Sequence, residues 1–87
     1  MIIDNKYIKY KNEYHKIIVM DINWRTVYNS YFSSKHLFQY TEDDITQITW
    51  DRTMSCTSIV IEDYTRTIKI QFEDAIVPDN EVVEHLL

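Results

Sequence analysis

Three adjacent carboxylates, Glu42, Asp43 and Asp44, stand between Tyr40 and Ile45, and a second acidic pair, Glu62 and Asp63, is followed at once by Tyr64. Carboxylates at that density can bind a hard metal, share protons in catalysis, cap a turn or meet a basic partner. A Ca²⁺ loop needs alternating oxygen ligands and a sharp glycine turn, and "TEDD" has neither. Two-carboxylate hydrolysis needs one acid pressed against an apolar wall, whereas most of these acids sit in polar runs. Two uses stay open. Thr41 and Asp44 have the spacing of a capping box or Asx-type turn, and clustered carboxylates give on-rate and specificity toward a basic partner.

Other catalytic sets are poorly represented. Cys56 is the single cysteine, so an internal disulfide and a Cys-x-x-Cys zinc site are both excluded. As a nucleophile it would need His15, His36 or His85 beside it; a lone cysteine next to a strand is more commonly buried and inert. The histidines show no His-x-x-x-His spacing. Glycine is absent altogether. Phosphate-cradling loops, dinucleotide fingerprints and nucleophile elbows are thereby excluded, since each needs a residue that takes positive φ or lets a ligand touch the backbone. No enzyme activity, cofactor or metal is expected.

A second functional possibility lies near the start of the chain. Lys6, Lys9 and Lys11 alternate with Tyr7 and Tyr10, and Tyr14, His15 and Lys16 follow. Charge interleaved with aromatic faces is how proteins grip single-stranded nucleic acid, although an ordinary hairpin with its tyrosines packed on a sheet has the same composition. Net charge is −5, which works against phosphate binding.

The elements that must position these residues follow from composition and period. Val, Ile and Thr together number 27, against one Ala and three Leu, a balance that favours strands. "KYIKYK" (6–11) and "YHKIIVMDI" (14–22) predict a hairpin turning near Asn12, with Lys16, Ile18, Met20 and Ile22 on one face and Ile17 and Val19 on the other. In 23–34, Trp24, Val27, Tyr28, Tyr31 and Phe32 recur at helical spacing behind Asn23 as N-cap, predicting an amphipathic helix. "ITQITWDRTM", "TSIVIE" and "TIKIQF" predict a three-stranded meander, and "PDNEVVEHLL" a short C-terminal helix burying Val82, Val83, Leu86 and Leu87. The expected fold class is therefore α+β, a mostly antiparallel sheet with two helices.

A chain of 87 residues buries only roughly 60 to 65% of its unfolded surface, so residues 1–87 are expected to form a single domain. No apolar run suits a signal peptide or membrane span, and a reducing, cytoplasmic setting is expected. Residues 1–40 carry six Lys/Arg against three acids, and residues 41–87 three against eleven. In an antiparallel meander the start of the first strand lies beside the end of the second, so Glu42, Asp43, Asp44, Glu62 and Asp63 should converge at one edge, flanked by Tyr40 and Tyr64, with Arg66 of the "DYTR" turn as the nearest counter-charge. "TIKIQF" carries only Lys69 to protect it if it forms a sheet edge, so pairing into a homodimer is also expected.

In size, acidity and missing motifs the whole chain, with its "TEDD", "IED", "FED" and "PDNEVVE" segments, resembles the small acidic inhibitors that bacteriophages and other mobile elements use against host defences, anti-CRISPR proteins above all. Folds in that group are diverse, so the resemblance implies none for this chain. It implies a non-enzymatic protein acting in the host cytoplasm, which covers a nucleic-acid-binding surface of a nuclease complex or holds that complex in one state. The resemblance transfers no residue role; from their convergence in the meander, the expected contact residues are Tyr40, Glu42, Asp43, Asp44, Glu62, Asp63 and Tyr64, docked on a basic surface. The alternatives are a nucleic-acid-binding accessory protein using Lys6, Tyr7, Lys9, Tyr10 and Lys11, and an immunity protein for a nuclease toxin.

Overall fold

Strands dominate, as the β-branched composition requires. The computed structural model describes residues 6–25 and 35–87. They form six strands: β1 Tyr7–Tyr10, β2 Glu13–Trp24, β3 Ile45–Asp51, β4 Cys56–Glu62, β5 Arg66–Val77 and β6 His85–Leu86. These make one sheet in the order β3-β4-β5-β2-β1-β6, antiparallel throughout except where β6 runs parallel to β1. The only helical pieces among the described residues are three short 3-10 turns, Leu37–Gln39, Glu42–Asp44 and Asp79–Glu81. The expected α+β class is overturned; the described chain is a mixed β-sheet.

Asn23 and Trp24 close β2, paired to Thr67 and Arg66, because the ladder continues through them and the Arg66 guanidinium lies 5.1 Å from the Trp24 ring centroid. Residues 26–34 of the predicted amphipathic helix, including Val27, Tyr28, Tyr31 and Phe32, lie outside the described residues. At the C-terminus Asp79–Glu81 makes a single 3-10 turn and His85–Leu86 pairs with Tyr7 and Ile8. Ten residues with two adjacent valines nucleate a helix poorly, whereas pairing satisfies backbone groups that β1 would otherwise leave open. Leu86 is buried as expected, but Val83 is 98% exposed.

The meander and the N-terminal hairpin form as the alternation predicts. Register stacks Met20, Ile70 and Ile59 in one row and Ile22, Ile68 and Ile61 in the next, with Ile17 and Phe72 below. Side chains facing one way on neighbouring strands thus build the core. Strand β2 departs from simple alternation: irregularities between His15 and Ile17 and between Ile17 and Val19 bring Ile17 to the same buried cluster as Met20, where strict alternation put them on opposite faces. β5 pairs on both sides, with β4 and β2, so "TIKIQF" is central and the expected dimer edge there does not exist.

The sheet curls. In a flat sheet β1 and β3 would lie about 19 Å apart across four strand spacings, yet the Lys11 N–H donates to Glu42 Oε1, only three residues before β3. Residues 35–44 cross the concave face and bury Tyr40 and half-bury Leu37 there. Without glycine the β1–β2 turn uses Lys11 and Asn12 at φ 51° and 62°, the left-handed pair that a two-residue hairpin demands. Asn tolerates that region better than other residues with a Cβ. Asn12→Gly should therefore raise stability by up to about 1 kcal/mol, and Asn12→Val should lower it by about 1–2 kcal/mol, measured by urea unfolding.

Candidate acidic docking site

The acidic end is built on the Asp63 carboxylate. Asp63 opens the β4–β5 turn, and its Oδ1 accepts from the Thr65 N–H at 2.8 Å, the Thr65 hydroxyl at 2.7 Å and the Arg66 N–H at 2.9 Å. Its Oδ2 accepts from the Tyr40 hydroxyl. Burial pushes this carboxyl up, but the hydrogen bonds from Tyr40, Thr65 and Arg66 outweigh it and hold the group down at about 2, against an ordinary 3.8. In place of glycine, a side chain shapes the turn.

Arg66 completes the frame. Its side chain is buried between the rings of Trp24 and Tyr40, with the guanidinium 5.1 and 5.4 Å from their centroids. It donates from Nε to the Tyr40 hydroxyl at 3.2 Å and from its terminal nitrogen to the Lys35 carbonyl. A buried guanidinium is tolerated only when donors find acceptors and the charge finds aromatic faces. Burial, followed by the bond to Asp63, raises the Tyr40 hydroxyl above its usual value, so it stays protonated and donates. The crossing segment is thereby fastened to the β4–β5 turn.

Around this frame the predicted residues gather, but in different states. Tyr40, Asp44, Glu62, Asp63 and Tyr64, with Lys35, line a shallow depression of about 160 Å³. Asp44 accepts from the Thr41 N–H at 2.8 Å while its own N–H donates to the Thr41 carbonyl at 3.0 Å, closing the turn whose spacing was visible in "TEDD". It also lies 3.7 Å from Lys35 Nζ. Glu62 is 3.7 Å from the Arg25 guanidinium, and Glu42 holds the Lys11 N–H. Asp43 is exposed and has no hydrogen bond or ion pair among the described residues. Tyr64 is 76% exposed, Tyr40 3%. Tyr40 thus braces the site from beneath, and Tyr64 is the aromatic that faces outward.

The basic hairpin is arranged otherwise. Lys9 and Lys11 lie over the rings of Tyr14 and Tyr10 at 5.8 and 5.4 Å, Tyr10 also packs on Phe72, and Lys6 pairs with Glu84 at 3.5 Å. Tyr7 lines an apolar pocket with Met20, Leu37 and Leu86. These rings are engaged within the fold. Cys56 is buried, and burial with the nearby Asp51 and Asp74 raises its thiol, which opposes nucleophilic use. His15 donates to the Glu73 carbonyl at 2.8 Å and His85 to the Leu87 carbonyl at 2.9 Å. Compared with protein-family models, curated proteins and solved structures, the chain matches none.

Sequence reading placed Arg66 only as a nearby counter-charge and missed Trp24 as its platform; the "DYTR" turn, with Asp three residues before Arg, was the available signal. Because the folded Asp63 carboxyl sits below its ordinary value, the stability it contributes is present above about pH 4 and is lost as pH falls toward about 2. Asp63→Asn should cost about 1–3 kcal/mol at pH 7 and remove the corresponding part of the acid-side slope. Urea unfolding of both proteins between neutral and acid pH reads this; parallel curves would show that Asp63 does not hold the turn.

Proposed function

We propose that the chain is a non-enzymatic inhibitor that docks its acidic end on a basic, nucleic-acid-binding surface of another protein, in the manner of the phage anti-CRISPR proteins it resembles. The observation that carries this is the presentation of exposed Glu62 and Tyr64 on a turn over-determined by Asp63, with exposed Asp43 in the neighbouring 3-10 turn. A pre-ordered turn loses little entropy on binding. Exposed carboxylates steer a basic partner into place, and an exposed tyrosine supplies area beside them. No cofactor takes part. The setting is the host cytoplasm, and among the described residues no helix is long and apolar enough to cross a membrane.

The hairpin alternative is less well supported, since Tyr10 and Tyr14 are already covered by lysine heads and stacking on bases would have to displace them. An immunity protein for a basic nuclease toxin would use the same acidic end; it would be encoded beside its toxin.

The clean probes are Asp43 and Glu62. Glu42 and Asp44 hold backbone N–H groups, so reversing them would loosen the fold as well as the docking. With guide-loaded bacterial nuclease complexes as the probe, an excess of the chain should block DNA binding or cleavage stoichiometrically. Asp43→Lys with Glu62→Lys should slow association roughly tenfold and flatten its salt dependence, and Tyr64→Ala should speed dissociation. Thermal midpoints should hardly move, because exposed charges contribute little to stability. Full-rate cleavage by every complex in the presence of excess chain would refute the reading.

A further inference from the structure

The two margins of the sheet are treated differently. One ends in β6, two residues long, a length that offers little to an incoming strand. The other is β3, which among the described residues pairs only with β4, so that within them its seven residues have one side of the backbone open. Natural edge strands carry lysines, a proline or a bulge along their length to resist pairing. Beyond an irregularity between Ile45 and Gln47, β3 runs regularly through Gln47, Ile48, Thr49, Trp50 and Asp51, with no charge before its last residue. Ile48 is 54% and Trp50 59% exposed. Trp50 is also fixed in place: its indole N–H donates to Asp74 Oδ2 at 2.7 Å, and Asp74 Oδ1 accepts from the Thr57 hydroxyl at 3.1 Å.

We propose that β3 is the seat of a two-fold homodimer, in which two copies pair these strands antiparallel about Thr49 and continue one sheet into the other. Residues directly opposite in an antiparallel pair point their backbone groups the same way, so a self-paired strand must have its axis on a residue. Thr49 is the midpoint of the regular stretch. Centred there, Ile48 of each copy meets Trp50 of the other, Thr49 meets itself, and Gln47 meets Asp51. Aromatic against β-branched and Thr against Thr are favourable cross-strand pairs. A centre at Gln47 would instead oppose Asp51 to Asp43, and one at Ile48 would give up both Ile–Trp pairs.

Charge agrees with this register. Arg52 is exposed and makes no ion pair among the described residues. Across the two-fold it falls at the end of the second copy's β3 that Glu42, Asp43 and Asp44 immediately precede, where a long basic side chain meets opposite charge. Glu62 and Tyr64 of the proposed docking site lie at the β4–β5 turn, outside the paired strands, so the mass and register of the dimer are read without reference to docking. Preset side chains at the contact reduce the ordering cost of association.

The test is mass and register together. Light scattering at high micromolar concentration should return twice 10.6 kDa, and Ile48→Lys should return the single mass with an unchanged circular dichroism spectrum. Under mild oxidation Thr49→Cys should give a disulfide-linked dimer, since Thr49 is exposed and faces its own copy. Gln47→Cys should not, because the two copies of that position lie about 13 Å apart along the strand. Wild type controls for Cys56, which is buried. A monomer mass, leaving the edge for a strand of some other protein, overturns the proposal. Equal cross-linking of the two cysteines, or a dimer that survives Ile48→Lys, does so as well.

Discussion

The Asp63 carboxylate is the fastening on which the rest of the acidic end depends. One oxygen closes the β4–β5 turn through Thr65 and Arg66, and the other takes the Tyr40 hydroxyl from the segment that crosses the concave face. Arg66 then reaches back to the same hydroxyl and to the Lys35 carbonyl. Neither group would be stable alone. An unpaired guanidinium at that depth would carry a heavy desolvation cost, and the carboxylate without its donors would rise in pKa. Because both are satisfied, the crossing segment is pinned at two points and the sheet is held in its curl.

The absence of glycine explains why side chains shape so many of the turns. Asp51 accepts from the N–H groups of Thr53 and Met54, Asp44 from Thr41, and Gln39 from the His36 N–H. Where positive φ is unavoidable, Lys11, Asn12 and Ser55 adopt it. Several of the acids that look like a recognition cluster in the sequence are therefore also turn-formers. The two uses coexist at one end of the molecule, divided by residue: Asp44 and Asp63 face inward to backbone donors, while Asp43 and Glu62 remain at the surface.

How legible this was in the sequence depended on the range of the interaction. The hairpin turn at Asn12, the three-stranded meander and the Thr41–Asp44 turn are local, and residue type with spacing was enough for them. The C-terminal segment was misread as a helix because its outcome rests on an open edge of β1 far away in sequence. The face of Ile17 was misassigned because a bulge is invisible to strict alternation. β5 was taken for an edge because strand order is a property of the whole sheet. Tyr40 could be placed beside the acids, but not beneath them, since only the crossing of residues 35–44 over the core decides which tyrosine is covered.

Charge distribution shows the same division between local and global information. The basic first half and the acidic second half suggest an electrically polar molecule, yet the fold interleaves them: Lys6 with Glu84, Arg25 with Glu62 and Lys35 with Asp44. Exposed pairs of this kind add little stability individually. Their larger consequence is for the surface. Lys6, Arg25 and Lys35 of the first half are engaged by acids of the second, while Lys9 and Lys11 lie over the rings of Tyr14 and Tyr10. The excess acids, Asp43, Asp79 and Glu81 among them, then set the sign of the outward field. A basic protein surface is the complement of that field, and a nucleic acid is not.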